Sequence, residues 1–144
     1  MKLQPLSDNY LIELARQLAF LGAFLGGFAA TFLATLLIAD SSKRIAGWVI
    51  GTAATAACGF VVAVIASVML TTVLHPDAPS NVSSGAAIRV ARIVSSLSFG
   101  AGVFALLASV GLSGWVRSRQ TGIATSIISF VGLALVSWAL GGFG

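Results

Sequence analysis

Charged residues are scarce in this sequence. Aspartate, glutamate, lysine and arginine make up 8% of its 144 residues, whereas a typical soluble domain has about 25%. A soluble fold of this length needs far more polar surface to remain dispersed in water. Since 58% of the residues are hydrophobic and the mean hydropathy is +1.02, the composition predicts a protein whose solvent is the lipid bilayer.

Residues that carry catalytic or metal chemistry are few as well. The chain has one histidine, one cysteine and four acidic residues, and they form no cluster with the spacing of metal ligands. No serine or cysteine has an evident partner base, and no glycine-rich phosphate loop follows a strand. The sequence therefore predicts neither an enzyme nor a protein with a bound cofactor or metal.

The single cysteine, Cys58, lies within an apolar run. It has no second cysteine with which to form an intrachain disulfide. Because an unpaired cysteine in such a position usually acts as a small hydrophobic residue, we expect its side chain to be buried.

Four long segments contain no charged residue: 17–39, 45–74, 93–116 and 120–144. Each exceeds the roughly 20 residues that an α-helix needs to cross a hydrocarbon core of about 30 Å. The sequence thus predicts an all-α integral membrane protein, a four-helix transmembrane bundle in which residues 1–144 form a single domain. The expected spans are 17–39, 45–74, 89–116 and 120–142.

The connections between the spans are short, which predicts an up-down topology with antiparallel neighbours. Residues 40–44 and 113–120 each join two adjacent spans, and only 75–85 has the proline- and serine-rich composition of a loop. Residues 9–17 combine an apolar stripe with polar positions, so we expect them to continue the first helix at the membrane surface.

The basic residues lie at the ends of the apolar segments. The formal net charge is +4, but the basic side chains do not gather along one face, so we expect no nucleic-acid partner. Their positions are typical of topology markers and of contacts with lipid headgroups. The distribution is balanced, which leaves the orientation open and permits dual insertion: Lys2, Arg16, Arg89 and Arg92 lie on the side of the termini, and Lys43, Arg44, Arg117 and Arg119 on the other.

Small residues recur every four positions in the first two spans. Rows of this kind let helix backbones approach closely, which predicts helix packing and favours a homo-oligomer. The glycines concerned are Gly22, Gly26, Gly47, Gly51 and Gly59. Phenylalanines also recur every four residues, from Phe20 to Phe32, and we expect these rings to face lipid or a neighbouring subunit.

The combination of small-residue faces, hydroxyl rows and no soluble domain favours an oligomeric channel, or another passive pathway for small ions or solutes. Charged residues on the side of the termini would form the pore mouth: Glu13, Arg16, Arg89 and Arg92. Hydroxyl-bearing residues inside the spans are candidates for the pore lining, although such rows are more often helix seams: Thr31, Thr35, Thr125 and Ser129.

Arg89 and Arg92 lie on one helical face at the start of the third span, and other roles are open to them. Long basic side chains at a helix end most often reach towards lipid headgroups. A salt bridge with Glu13 or Asp77, or a patch for a partner protein, are further alternatives.

An accessory or assembly subunit of a larger membrane complex is the alternative function, because such a protein needs only packing faces. Active transport is disfavoured. Small multidrug exporters share this size and span count, but coupling to protons needs an ionisable group within the membrane, and no span here has an acid in its middle. The expected location is a bacterial inner membrane or a plasma membrane.

Overall fold

A computed structural model describes residues 8–38, 44–75 and 85–142. These ranges contain four α-helices, named in chain order: α1 (Asp8–Ile38), α2 (Arg44–Val73), α3 (Gly85–Arg117) and α4 (Arg119–Gly142). The segment 9–17 belongs to α1. Lys2, Lys43 and most of the segment 75–85 lie outside the described residues.

All four helices are long and apolar enough to cross a membrane. The candidate spans are Asn9–Ile38, Arg44–Val73, Ile88–Arg117 and Arg119–Trp138. The protein is therefore a multi-pass membrane protein whose helices contact the lipid bilayer. The all-α four-helix bundle that the sequence predicts is confirmed.

The helices pack in chain order. Helices α2 and α3 form the central pair, α1 packs against α2, and α4 packs against α3. Among the described residues, α4 contacts no helix other than α3. Neighbouring helices are antiparallel, because positions that rise along one helix meet positions that fall along the next. The contacts are Gly22–Val64 and Gly26–Phe60 between α1 and α2, Gly59–Gly102 and Ser67–Ser95 between α2 and α3, and Gly111–Ser129 and Gly114–Thr125 between α3 and α4. The two outer helices thus leave most of their surface to lipid.

The inward-facing residues alternate at spacings of three and four. On α2 the residues of this row are Ala46, Val49, Ala53, Ala56, Phe60, Ala63, Ser67 and Leu70, and Ala66 is buried beside the row. This seven-residue period follows a partner helix along its length. A strict four-residue row advances about 40° at each step and so winds around the helix. In the row predicted on α2, Gly47 and Gly51 accordingly face outward, whereas Ala63 is buried.

The centre of the bundle is filled by apolar side chains. Phe60 is fully buried and clusters with Ala29, Ala56 and Leu106. Its ring meets that of Phe99 edge to face, with the centroids 5.8 Å apart. Because these residues come from α1, α2 and α3, they close the space between the three helices.

Candidate functional site

The charged residues lie at two depths that match the two surfaces of a bilayer. Gly22 of α1 lies against Val64 of α2, so Arg16, six residues before Gly22, is level with Leu70. Ser95 of α3 bonds to Ser67 of α2, so Arg92, three residues before Ser95, is also level with Leu70. Arg44 lies 26 residues before Leu70, or about 39 Å along the helix. A bilayer measures about 40–45 Å with its headgroups, so both charged ends lie at headgroup depth.

A polar cleft opens at one of these ends, between the start of α1 and the end of α2. Its volume is ≈ 540 Å³, within the range of pockets that hold small ligands. We name it the α1–α2 cleft, and it is lined by Asn9, Ile12, Glu13, Arg16, Thr71, Thr72 and His75.

Local sequence explains why the polar groups meet in this cleft. Asn9, Glu13 and Arg16 are spaced by four and three residues, which places them on one face of α1. On the other side α2 ends at Val73, and its last turn closes with a hydrogen bond from the His75 N–H to the Thr72 carbonyl at 3.4 Å. The end of α2 therefore presents side-chain hydroxyls to α1.

The two charges in the cleft remain separate from each other. Glu13 accepts a hydrogen bond from Nε2 of Gln17 at 3.4 Å, and among the described residues no ion pair joins Glu13 to Arg16. The hydroxyls of Thr71 and Thr72 both donate to the Val68 carbonyl, at 2.7 and 2.9 Å. Each hydroxyl oxygen still has the capacity to accept a hydrogen bond. The cleft thus offers one anion, one cation and neutral acceptors.

Two of the four residues predicted for a pore mouth, Glu13 and Arg16, line this cleft. The other two, Arg89 and Arg92, are exposed on α3 at similar depths. They do not line the cleft, because α1 and α3 meet at only a few positions. The pore mouth itself stays a prediction.

The four hydroxyl residues predicted for a pore lining lie on two separate helices. The hydroxyls of Thr31 and Thr35 are exposed on α1 and donate to carbonyls of their own helix at 2.9 Å. The Thr125 hydroxyl lies within hydrogen-bond distance of the Thr121 carbonyl of its own helix, at 2.9 Å, and of the Gly111 carbonyl of α3, at 3.0 Å. Ser129 is buried against the same glycine. Within one chain these residues do not surround a common space, so a shared lining stays a prediction.

The five glycines predicted to pack helices fall into two groups. A Cβ added at Gly22 or Gly26 would lie 3.0–3.2 Å from side-chain atoms of α2, and one at Gly59 would lie 3.1 Å from backbone atoms of α3. A Cβ added at Gly47 or Gly51 would meet nothing within 4 Å. Any packing role of these last two glycines would involve contacts outside the described residues.

Cys58 is exposed, so the prediction that it is buried is wrong. The inward positions next to it are Ala56 and Phe60, and a residue two positions from each of them points to the opposite side of an α-helix. In a soluble protein an apolar segment is usually buried, but in a membrane span an apolar residue can face lipid instead.

The seam between α3 and α4 contains Thr125 and Ser129, which the sequence offers as pore lining or as helix seam. The hydrogen-bonded pair in this seam, Trp115 and Ser126, was not predicted. Nε1 of Trp115 donates to the Ser126 hydroxyl at 2.9 Å, and Gly111 and Gly114 on α3 leave room for hydroxyl residues of α4. Gly111 and Gly114 are spaced by three, and α4 carries Gly122, Ser126 and Ser129 at spacings of four and three. This spacing indicates a packed face on α4, but it does not identify Trp115 as the hydrogen-bond partner on α3.

No family model, no curated protein and no solved structure matches this chain. Among the described residues, no group of three or more histidine, cysteine, aspartate or glutamate side chains could hold a metal ion.

Proposed function

We propose that the protein is the subunit of an oligomeric channel that gives small ions or solutes a passive route across a bacterial inner membrane or a plasma membrane. The observation that carries this proposal is the α1–α2 cleft, in which Glu13 and Arg16 lie at headgroup depth. Charged side chains at such a mouth attract ions from water. No catalytic step is part of the proposal.

The route would run between copies of the chain. The buried cluster around Phe60 fills the space between α1, α2 and α3, which leaves the outer face of α1 as the surface that starts at the mouth. Exposed residues follow each other along this face at spacings of four and three. We name them the outer stripe of α1: Gln17, Leu21, Phe24, Phe28, Thr31 and Thr35.

The outer stripe has polar residues towards both ends and apolar residues between them. A second groove, lined by Glu13, Arg16, Gln17, Phe20 and Leu21, links the mouth to the start of the stripe. The rings of Phe24 and Phe28 follow, with 69% and 53% of their surface exposed. An apolar constriction of this kind gates ion flow by dewetting. If copies meet along this face, Phe24 and Phe28 form the barrier.

The test is ion flux from liposomes that contain only the purified, folded protein. We expect flux above that of empty vesicles, a higher flux for Phe24→Ala because the barrier becomes wider, and a lower flux for Thr31→Leu. Phe104→Ala is the matched control, since Phe104 is also exposed but lies on α3, and we expect it to conduct like the wild type. Vesicles that stay tight with folded protein would contradict the proposal.

An accessory or assembly subunit remains the second candidate, and the position of α4 favours it. Helix α4 packs on α3 alone among the described residues, and its exposed side carries Ile127, Phe130, Leu135 and Trp138. This surface could receive helices of another protein. Tight vesicles together with a membrane protein that co-purifies, and is lost in Ile127→Ala/Phe130→Ala, would favour this function.

A further inference from the structure

A narrow apolar groove lies below the α1–α2 cleft on the same side of the hairpin. We name it the α1–α2 groove; its volume is ≈ 260 Å³, and it is lined by Gly22, Ala23, Gly26, Gly27, Val61, Val64 and Ile65. On α2, Val61, Ile65, Val68, Thr72 and His75 follow each other at spacings of three and four. Residues with that spacing share one helical face. The polar cleft and the apolar groove therefore belong to one continuous surface.

The depths of the two sites match the two parts of a phospholipid. The cleft lies at the level of Arg16, which is headgroup depth. Gly22 and Gly27 are 6 and 11 residues further along α1, or about 9 and 16 Å deeper into the membrane. That depth lies within the hydrocarbon layer. A lipid whose headgroup occupies the cleft can thus lay an acyl chain in the groove.

The charges of the cleft indicate which headgroup it fits. Glu13 and Arg16 stand one helical turn apart and are not paired with each other. A zwitterion with a phosphate and an ammonium group can satisfy both charges at once, and a guanidinium is well suited to phosphate. A headgroup with net negative charge would leave Glu13 facing a second anion.

The polar partners in the cleft also distinguish between two zwitterionic headgroups. A primary ammonium donates three hydrogen bonds, and the cleft provides the Glu13 carboxylate and the threonine hydroxyls as acceptors. A quaternary ammonium donates none and is usually bound by a cage of aromatic rings. None of the seven residues that line the cleft is aromatic except the imidazole of His75, so ethanolamine fits better than choline.

We propose that the α1–α2 cleft and groove together bind one phosphatidylethanolamine molecule, with its phosphate at Arg16, its ammonium at Glu13 and an acyl chain along Gly22, Gly26 and Gly27. This site is separate from the outer stripe of α1. Its headgroup part shares Glu13 and Arg16 with the proposed pore mouth, so a bound headgroup would form part of that mouth. Lipid binding goes beyond the channel function and can be measured whether or not the protein conducts ions.

The test measures the lipids that stay with the protein in nanodiscs made from equal amounts of phosphatidylethanolamine, phosphatidylcholine and phosphatidylglycerol. After transfer to detergent, native mass spectrometry counts the lipids bound to each protein. We expect phosphatidylethanolamine to be enriched about three- to fivefold, as befits an exposed charge pair. Equal retention of the three lipids, or a preference for phosphatidylglycerol, would overturn the proposal.

Two pairs of variants test the headgroup and acyl-chain parts separately. Glu13→Gln should abolish the preference for ethanolamine over choline, whereas Arg117→Gln, an exposed arginine at the opposite end, should retain it. Gly27→Leu should fill the groove and reduce retention, whereas Gly51→Leu should not. Both glycines have open space beside them, so thermal stability should be unchanged. An unchanged preference for ethanolamine in Glu13→Gln would contradict the headgroup part of the site. Unchanged lipid retention in Gly27→Leu would contradict the acyl-chain part.

Water-soluble glycerophosphoethanolamine distinguishes a lipid site from a site for the free headgroup. Added in excess, it should not displace the bound lipid, because it cannot occupy the groove. If it displaces phosphatidylethanolamine at low concentration, the ligand comes from solution and the lipid proposal is wrong.

Discussion

The seam between α1 and α2 and the seam between α3 and α4 join similar hairpins in different ways. Between α1 and α2, Gly22 and Gly26 lie against Val64 and Phe60, and the contact is apolar. Between α3 and α4, Trp115 donates to the Ser126 hydroxyl, and the Thr125 hydroxyl lies within hydrogen-bond distance of the Gly111 carbonyl. Glycines lie on α1 alone in the first seam and on both helices in the second, and only the second adds a side-chain hydrogen bond between the helices.

The difference follows from the surroundings of each outer helix. Helix α1 has 31 residues and reaches the buried cluster through Ala29, so close packing supplies most of its contact with the bundle. Helix α4 has 24 residues and packs on α3 alone among the described residues. Interhelical hydrogen bonds have little competition from water in the bilayer. They stabilise a helix that lacks a second neighbour.

The tight connection between α3 and α4 adds a steric demand to the polar seam. Only Ser118 separates the two helices, and it donates its N–H to the Gly114 carbonyl at 3.2 Å. Helices joined so closely must approach each other near the corner. A Cβ added at Gly114 would lie 2.6 Å from the Thr121 carbonyl oxygen, so only glycine fits there without movement of the backbone.

The largest effect should come from a methyl group at this corner. We expect Gly114→Ala to lower the free energy of unfolding by about 3 kcal/mol, because a backbone carbonyl has to move. The measurement is unfolding in mixed micelles with increasing dodecyl sulfate, followed by tryptophan fluorescence. Gly51→Ala serves as the control with open space, and we expect it to be neutral. If the two variants change the free energy of unfolding equally, the steric explanation for Gly114 is wrong.

A smaller effect should follow from the same change in the apolar seam. In Gly26→Ala the new methyl would lie 3.2 Å from the Cβ of Phe60, and a shift of a few tenths of an ångström relieves the contact. We expect a loss of about 1 kcal/mol in the same titration. Gly27→Ala, one residue further along but with open space, should lose nothing. If Gly26→Ala lowers the free energy of unfolding as much as Gly114→Ala, the two seams tolerate a methyl group equally badly and do not differ in the way described.

The hydrogen bond that distinguishes the polar seam should make the smallest contribution. A double-mutant cycle with Trp115→Phe and Ser126→Ala should give a coupling of about 0.6 kcal/mol, the average for such bonds in membrane proteins. Thr31→Val is the control in the other hairpin, because its hydroxyl is exposed and bonds within its own helix, and we expect no measurable change. A coupling of zero would mean that shape alone holds α4 on α3.

Much of the fold can be predicted from the sequence because a membrane span requires about 20 or more apolar residues without charge. The uncharged segments locate four helices. Of the predicted row of phenylalanines, Phe20, Phe24 and Phe28 are exposed, whereas Phe32 is half-buried. The helix ends are less well predicted. Helix α1 begins at Asp8, in agreement with the expected helical segment 9–17, whereas α3 begins at Gly85, four residues before the expected start at 89.

The candidate site was only partly predictable. Glu13 and Arg16 stand out as charges beside an apolar run, but their partners Thr71, Thr72 and His75 are more than 50 residues away in the sequence. Only the register of α1 against α2 brings them together. Four-residue rows, moreover, do not give that register, because the packed face follows a seven-residue period from Ala46 to Leu70.

The most direct test of the central claim, that the route lies between copies of the chain, is ion flux at decreasing ratios of protein to lipid. If copies must meet to form the route, the flux per protein should fall steeply as the protein is diluted, because subunits become separated. Flux per protein that stays constant down to fewer than one chain per vesicle would contradict the account and place the route inside a single chain.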